Sequence, residues 1–135
     1  MDGSINHLSQ YRLGRAEEMM EAAKTNYEIR QYKTSLNRSY YAVFHAIRAV
    51  NILDGFDSSK HSGVIAHFNQ EYLKPGKLDK NLSAIIKSTY YLREKSDYDD
   101  FFIASKADVE TQLKNAEYFV NEVKKYLTTI LDKEL

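Results

Sequence analysis

The sequence predicts an all-α protein, an antiparallel up-and-down bundle of four long helices and one short one. Three observations predict it. Apolar residues recur at alternating spacings of three and four along most of the chain, no segment alternates with the period of two that strands require, and the single proline and few glycines fall mainly between the periodic stretches. No repeat or low-complexity linker divides the 135 residues, so one domain spanning 1–135 is expected, long enough to bury its own core.

The first helix is expected to begin at a Ser4 or Asn6 cap and run to about Arg30, with Leu13, Ala16, Met20, Ala23 and Tyr27 as its apolar stripe. Gly14 inside it costs about 1 kcal/mol relative to alanine, which suggests a close helix contact or a weak first turn. The short link Gln31–Lys33 makes the first two helices an antiparallel hairpin. The second helix runs to about Leu53, where Asp54-Gly55 stops it. A short third helix follows a Ser58 or Ser59 cap and ends before Lys74-Pro75-Gly76. A fourth runs from about Asp79 to Ser96 with Leu82, Ile85, Ile86, Thr89 and Leu92 inward. After an acidic, aromatic loop, in which Asp97 is expected to pair with Arg93 or Lys95, Ser105 caps the longest helix. That helix carries a six-turn seam from Val109 to Ile130 and is expected to pack along the second.

Composition narrows the function. Without cysteine there is neither a disulfide framework nor a thiolate metal site, and no signal pattern or run of about 18 apolar residues is present, so a cytoplasmic protein is expected. Basic and acidic residues balance at nineteen each, which removes the global positive field of a non-specific nucleic-acid binder. The balance is uneven along the chain: residues 1–95 hold fourteen basic against ten acidic side chains, so an anion site belongs there. His61 and His67 are six apart and do not share a helical face as zinc ligands would, and Asp97, Asp99 and Asp100 do not match a calcium loop. Neither a metal nor a cofactor is expected.

The most informative stretch is Ser35–Asn51. Leu36, Tyr40, Val43, Phe44, Ile47 and Val50 gather on one side of a helical wheel as a core stripe. The other side carries Arg38, Tyr41, Ala42, His45, Arg48 and Ala49, with Arg38 and His45 seven positions apart and about 20° out of line. Most polar faces are rich in Lys and Glu. This mixture of arginine, histidine, tyrosine and alanine suits an anion and the close approach of another backbone. Surface arginines beside a half-buried histidine would give the same pattern.

Three segments, N-R-S-Y-Y-A-V-F-H-A in the second helix, K-H-S-G-V at Lys60–Val64 and L-R-E-K-S-D-Y at Leu92–Tyr98, resemble the HEPN superfamily, and its small free-standing prokaryotic branch in particular. A-E-Y-F-V-N-E-V at Ala116–Val123 is similar to the same branch, and the likeness covers roughly Ser4–Leu131. The resemblance implies a dimerising helical bundle. In many members it also implies a metal-independent RNA endonuclease of toxin or defence systems, built on an arginine, four to six residues, and a histidine. Only Arg38 and His45 fit, at the upper limit of that spacing. Ser39 stands where active nucleases often have Asn, Asp or His, and no second His-Tyr pair follows. The resulting expectation is Arg38 and His45 as catalytic residues, Tyr41 and Arg48 contacting RNA or nucleotide, and a homodimer joined through Arg38, Ala42, His45 and Ala49. The alternative is a noncatalytic nucleotide-binding or partner-contact module working with a nucleotidyltransferase.

Overall fold

The computed structural model describes residues 3–134, with side chains as far as residue 131. Its helices are α1 (Gly3–Glu28), α2 (Tyr32–Asn51), α3 (His61–Phe68), α4 (Leu82–Tyr98) and α5 (Lys106–Glu134), and no strand occurs among the described residues. The bundle of four long helices and one short one is therefore the fold. No helix among the described residues is long and apolar enough to cross a membrane.

α1 and α2 form the expected hairpin, closed by Arg30 at φ 63°, in the left-handed region usually left to glycine. The amide of Gln31 donates to the Asn26 carbonyl and that of Arg30 to Tyr27, which satisfies the last carbonyls of α1. Gly14 lies in mid-helix rather than in a first turn, and a Cβ built there meets nothing within 4 Å, so neither reason considered for it holds. Gly14→Ala is accordingly expected to stabilise the protein by about 1 kcal/mol; a lower melting temperature would show a contact at that position that the structure lacks.

α2 is the axis of the molecule. Its predicted stripe, Leu36, Tyr40, Val43, Phe44, Ile47 and Val50, is buried against α4, α5 and α3. Its other small residues are buried as well. Ala42 and Ala49 are 0% exposed, not open to a partner as the helical wheel suggested. The cause is α1, which makes the most extensive contact with α2. Ser9 Oγ donates to the Ala49 carbonyl at 2.7 Å and Ser35 Oγ to Ala23 at 2.8 Å, contacts that require closely apposed backbones. Alanine and serine at 35, 39, 42, 46 and 49 permit this approach within one chain. The seam drawn through Arg38, Ala42, His45 and Ala49 is thus not one free surface, because α1 already covers two of its four residues.

The third helix is α-helical only to Phe68. It then widens into a π turn over Asn69–Leu73, in which the amide of Lys74 donates to the Asn69 carbonyl at 2.8 Å. The wider turn leaves Tyr72 and Leu73 both facing the core before Pro75 ends the segment. α4 starts at Leu82, later than Asp79, because the Asp79 carboxylate accepts from the amide of Asn81 and forms a separate turn. α5 begins as predicted, with Ser105 Oγ accepting from the amide of Asp108 at 3.0 Å. Val109, Ala116, Val120, Val123 and Leu127 of its seam are buried, joined by Phe119.

Candidate functional site

Between Ser35 and Ile52 only Asn37, Arg38, Tyr41, His45 and Arg48 escape full burial. Arg38, Tyr41, His45 and Arg48 follow spacings of three, four and three, which keep them within an arc of about 80° and along about 15 Å of helix. The four residues singled out from the sequence thus form one narrow exposed lane on an otherwise buried helix. Arg12 and Arg15 of α1 border it on one side; the loop before α3, His61 and Arg93 of α4 border it on the other.

At the Arg48 end, two guanidinium groups share one carboxylate. Asp57 receives Arg12 at 2.8 Å and Arg48 at 3.3 Å, and it accepts from the amide of Ser58 at 2.9 Å. Burial alone would raise the Asp57 pKa; hydrogen bonds from Arg48 and Arg12 outweigh it and hold the group below the usual carboxylate value. Arg48 is therefore engaged in pinning the loop that leads to α3.

His45 is half-buried, and its Nδ1 is buried without a hydrogen-bond partner among the described residues. No partner fixes its tautomer. Burial, followed by the charges of Arg15, Arg48 and Arg12, lowers its pKa to about 4, so the ring is neutral at pH 7. The unfolded chain, with a pKa near 6.5, binds the proton first as pH falls. Stability associated with His45 is consequently present above pH 6.5 and lost as pH falls towards 4. Urea midpoints are expected to decline across that window, less steeply in His45→Gln; parallel curves for the two proteins would contradict the assignment.

In the middle of the lane, Arg93 Nη2 donates to the Tyr41 hydroxyl at 3.2 Å, and its guanidinium lies 5.5 Å from the Tyr40 and Tyr41 rings and 5.7 Å from that of Tyr98. Arg93 also pairs with Asp97 at 3.0 Å and Glu94 at 2.8 Å. The expected Arg93–Asp97 pair is present, but its part in orienting Tyr41 was not legible. His61, the first residue of α3, stacks on Phe44 at 4.1 Å, and its Nδ1 lies 2.9 Å from the Tyr40 hydroxyl. Burial, then Arg93 and Arg48, lowers its pKa. The sequence placed His61 in the K-H-S-G-V segment that carries the resemblance and weighed it against His67 as a metal pair, but assigned it no role in the site. His67 is occupied elsewhere, stacked on Phe56 at 3.9 Å and paired with Asp54 at 3.0 Å.

Arg38 occupies the other end, in an open cleft of about 440 Å3 lined also by Lys33, Thr34, Asn37, Ser96 and Asp97. Asp97 is held by Arg93 and by Asn37 Nδ2 at 3.0 Å, and Arg38 enters no ion pair or hydrogen bond among the described side chains. Of the arginines along the lane, Arg38 alone is uncommitted. Seven residues, or about 10 Å of helical rise, separate it from His45, with Tyr41 between them. Among the described residues no group of three or more His, Cys, Asp or Glu side chains is placed to hold a metal ion.

Residues 9–126 match the model of the HEPN domain. The chain is 33% identical to a Methanocaldococcus jannaschii protein named "Putative toxin" over 84% of this chain and 77% of the relative. A second M. jannaschii protein of the same designation is 34% identical over 86% of each chain. A Thermotoga maritima "UPF0332 protein" is 31% identical over 87% of this chain and 89% of the relative.

Proposed function

We propose that this chain, which belongs to the HEPN family, is a toxin-like, metal-independent RNA endonuclease that cuts a phosphodiester laid along the exposed lane of α2. The observation that carries the reading is the lane itself. Between Ser35 and Ile52, α2 leaves Arg38, Tyr41, His45 and Arg48 part-exposed along one arc, and the uncommitted guanidinium of Arg38 and the unpartnered Nδ1 of His45 have no packing role that would account for it. The toxin designation of two relatives supports the same reading.

Cleavage without a metal proceeds by attack of the 2′-hydroxyl on the adjacent phosphorus. His45, neutral at pH 7, removes the hydroxyl proton as the new P–O bond forms. Arg38, free of any protein carboxylate, grips the non-bridging oxygens with its planar fork and stabilises the charge of the phosphorane. Tyr41 is held by Arg93 at a height between the two, where its ring can stack a base. The products are a 2′,3′-cyclic phosphate and a 5′-hydroxyl. A homodimer that places two lanes in one cleft would supply a second histidine, although its contact must avoid the α1-covered residues Ala42 and Ala49.

A second reading has one observation in its favour. A base with a pKa of about 4 has little driving force for proton removal, so the lane would instead bind a nucleotide, or a partner nucleotidyltransferase, without cutting. Purified protein incubated with single-stranded and structured RNA in excess EDTA separates the two. The nuclease reading expects cleavage with cyclic phosphate ends; intact RNA together with saturable nucleotide binding would replace it with the second. Light scattering at micromolar concentration tests the dimer.

A further inference from the structure

We infer that His61 is the second proton carrier of this lane, protonating the departing 5′-oxygen from the same protomer that supplies His45. The inference rests on the nuclease reading and deepens it, because the chemistry needs an acid opposite the base and one imidazole cannot stand on both sides of the scissile bond.

Placement is the first argument. His61 is 4.1 Å from the Phe44 ring and 5.8 Å from that of Tyr41; His45 is 6.3 Å from each of the same two rings. The two imidazoles therefore neighbour the same pair of aromatic side chains, one delivered by α2 and the other by the start of α3. They are far apart in sequence and carried by different elements, so they can approach a bound phosphodiester from different directions.

Orientation is the second. The Tyr40 hydroxyl holds His61 Nδ1 at 2.9 Å, and the ring lies face to face with Phe44 at 4.1 Å and an interplanar angle of 27°. His61 Nε2 has no partner among the described residues and is not one of the buried unpaired atoms, so it keeps access to solvent. A hydroxyl both donates and accepts. The Tyr40 oxygen accepts from Nδ1–H both in the protonated ring and in the neutral tautomer left once Nε2 has given up its proton, with no heavy atom moving. Tyr40 is buried, and burial raises its pKa, so the phenol keeps its proton throughout. A fixed Nδ1 and an open Nε2 suit a group that passes a proton through Nε2.

The step balances as follows. His45 takes the 2′-hydroxyl proton, and the 2′-oxygen forms its bond to phosphorus. The bond from phosphorus to the 5′-oxygen breaks with its electron pair going to oxygen, which takes the Nε2 proton of protonated His61. His45 ends protonated and His61 neutral, and solvent restores both. Arg93 and Arg48 disfavour the protonated ring of His61 and Glu94 favours it; the anionic substrate offsets the first two and favours the protonated ring.

A leaving group that needs no proton tests this. The probes are an RNA oligonucleotide and uridine 3′-(4-nitrophenyl phosphate), whose phenolate departs unaided. His61→Asn retains a polar partner for the Tyr40 hydroxyl, and circular dichroism checks its fold. It is expected to lose about 100-fold or more on RNA but less than about tenfold on the nitrophenyl ester, whereas His45→Ala loses on both. An equal loss on both substrates, or RNA cleavage at the wild-type rate, overturns the proposal; His61→Gln, read the same way, decides it should the asparagine variant unfold. Wild-type protein that turns over neither substrate sinks the nuclease reading itself, while turnover of both without the split sinks only the role of His61.

Discussion

His45→Ala is expected to lower the rate of RNA cleavage by about 10²- to 10⁴-fold, the usual contribution of a positioned general base, and Arg38→Ala by about 10²- to 10³-fold, that of a lost charge-stabilising donor. Neither variant should unfold. Arg38 has no ion pair or hydrogen bond among the described side chains, and His45 Nδ1 has no protein partner to leave stranded. Far-UV circular dichroism and melting temperature should therefore stay near those of the wild type, so that any rate loss reports chemistry at the lane. Arg48→Ala is a useful contrast. It removes one of the two guanidinium groups that hold Asp57, and its effect should include loosening of the loop before α3. If the His45 variant cuts as fast as wild type, the base has been misassigned; if both alanine variants melt early, the lane is part of the core and not a site.

The parts of this architecture that were legible in the sequence are local. The α5 seam, the Ser105 cap and the α2 stripe each depend on residues within one helix, where spacing decides which side is buried. The lane was legible for the same reason, since Arg38, Tyr41, His45 and Arg48 share one arc of a single helix. What lay beyond reach depends on how helices meet. Ala42 and Ala49 read equally well as an open surface for a partner or as a floor for a neighbour, because alanine carries no polarity that distinguishes the two. The answer came from Ser9 and Arg12 on α1, polar residues buried by reaching across to α2 and its following loop. The K-H-S-G-V segment marked His61 out, but not its place beside the lane, which comes from contacts with Tyr40 and Phe44 about twenty positions away. The π turn at Asn69–Leu73 rotates Tyr72 and Leu73 inward by a register change that periodicity does not anticipate.

Tyr40→Ala is expected to cost about 3–5 kcal/mol, the range for removing a large buried aromatic side chain, and to lower the melting temperature by roughly 10–20 °C in a chain of this size. The ring is 1% exposed and is the common neighbour of Tyr41, Phe44, His61 and Tyr90, with the Arg93 guanidinium 5.5 Å from its centre. Deleting it opens a cavity where α2, α3 and α4 converge, and Arg93 loses one of the faces that shield it. Tyr40→Phe keeps the ring and removes only the hydrogen bond to His61, whose net worth is about 0.5–1.5 kcal/mol, so it should melt within a few degrees of wild type. The pair of variants thus separates the ring, which holds three helices together, from the hydroxyl, which orients one imidazole. A Tyr40→Ala protein that melts with the wild type would mean the cavity collapses at no cost, and the convergence point of the bundle would have to lie elsewhere. A Tyr40→Phe protein as unstable as the alanine variant would mean that the hydroxyl holds α3 in place, and His61 would then be a structural strut.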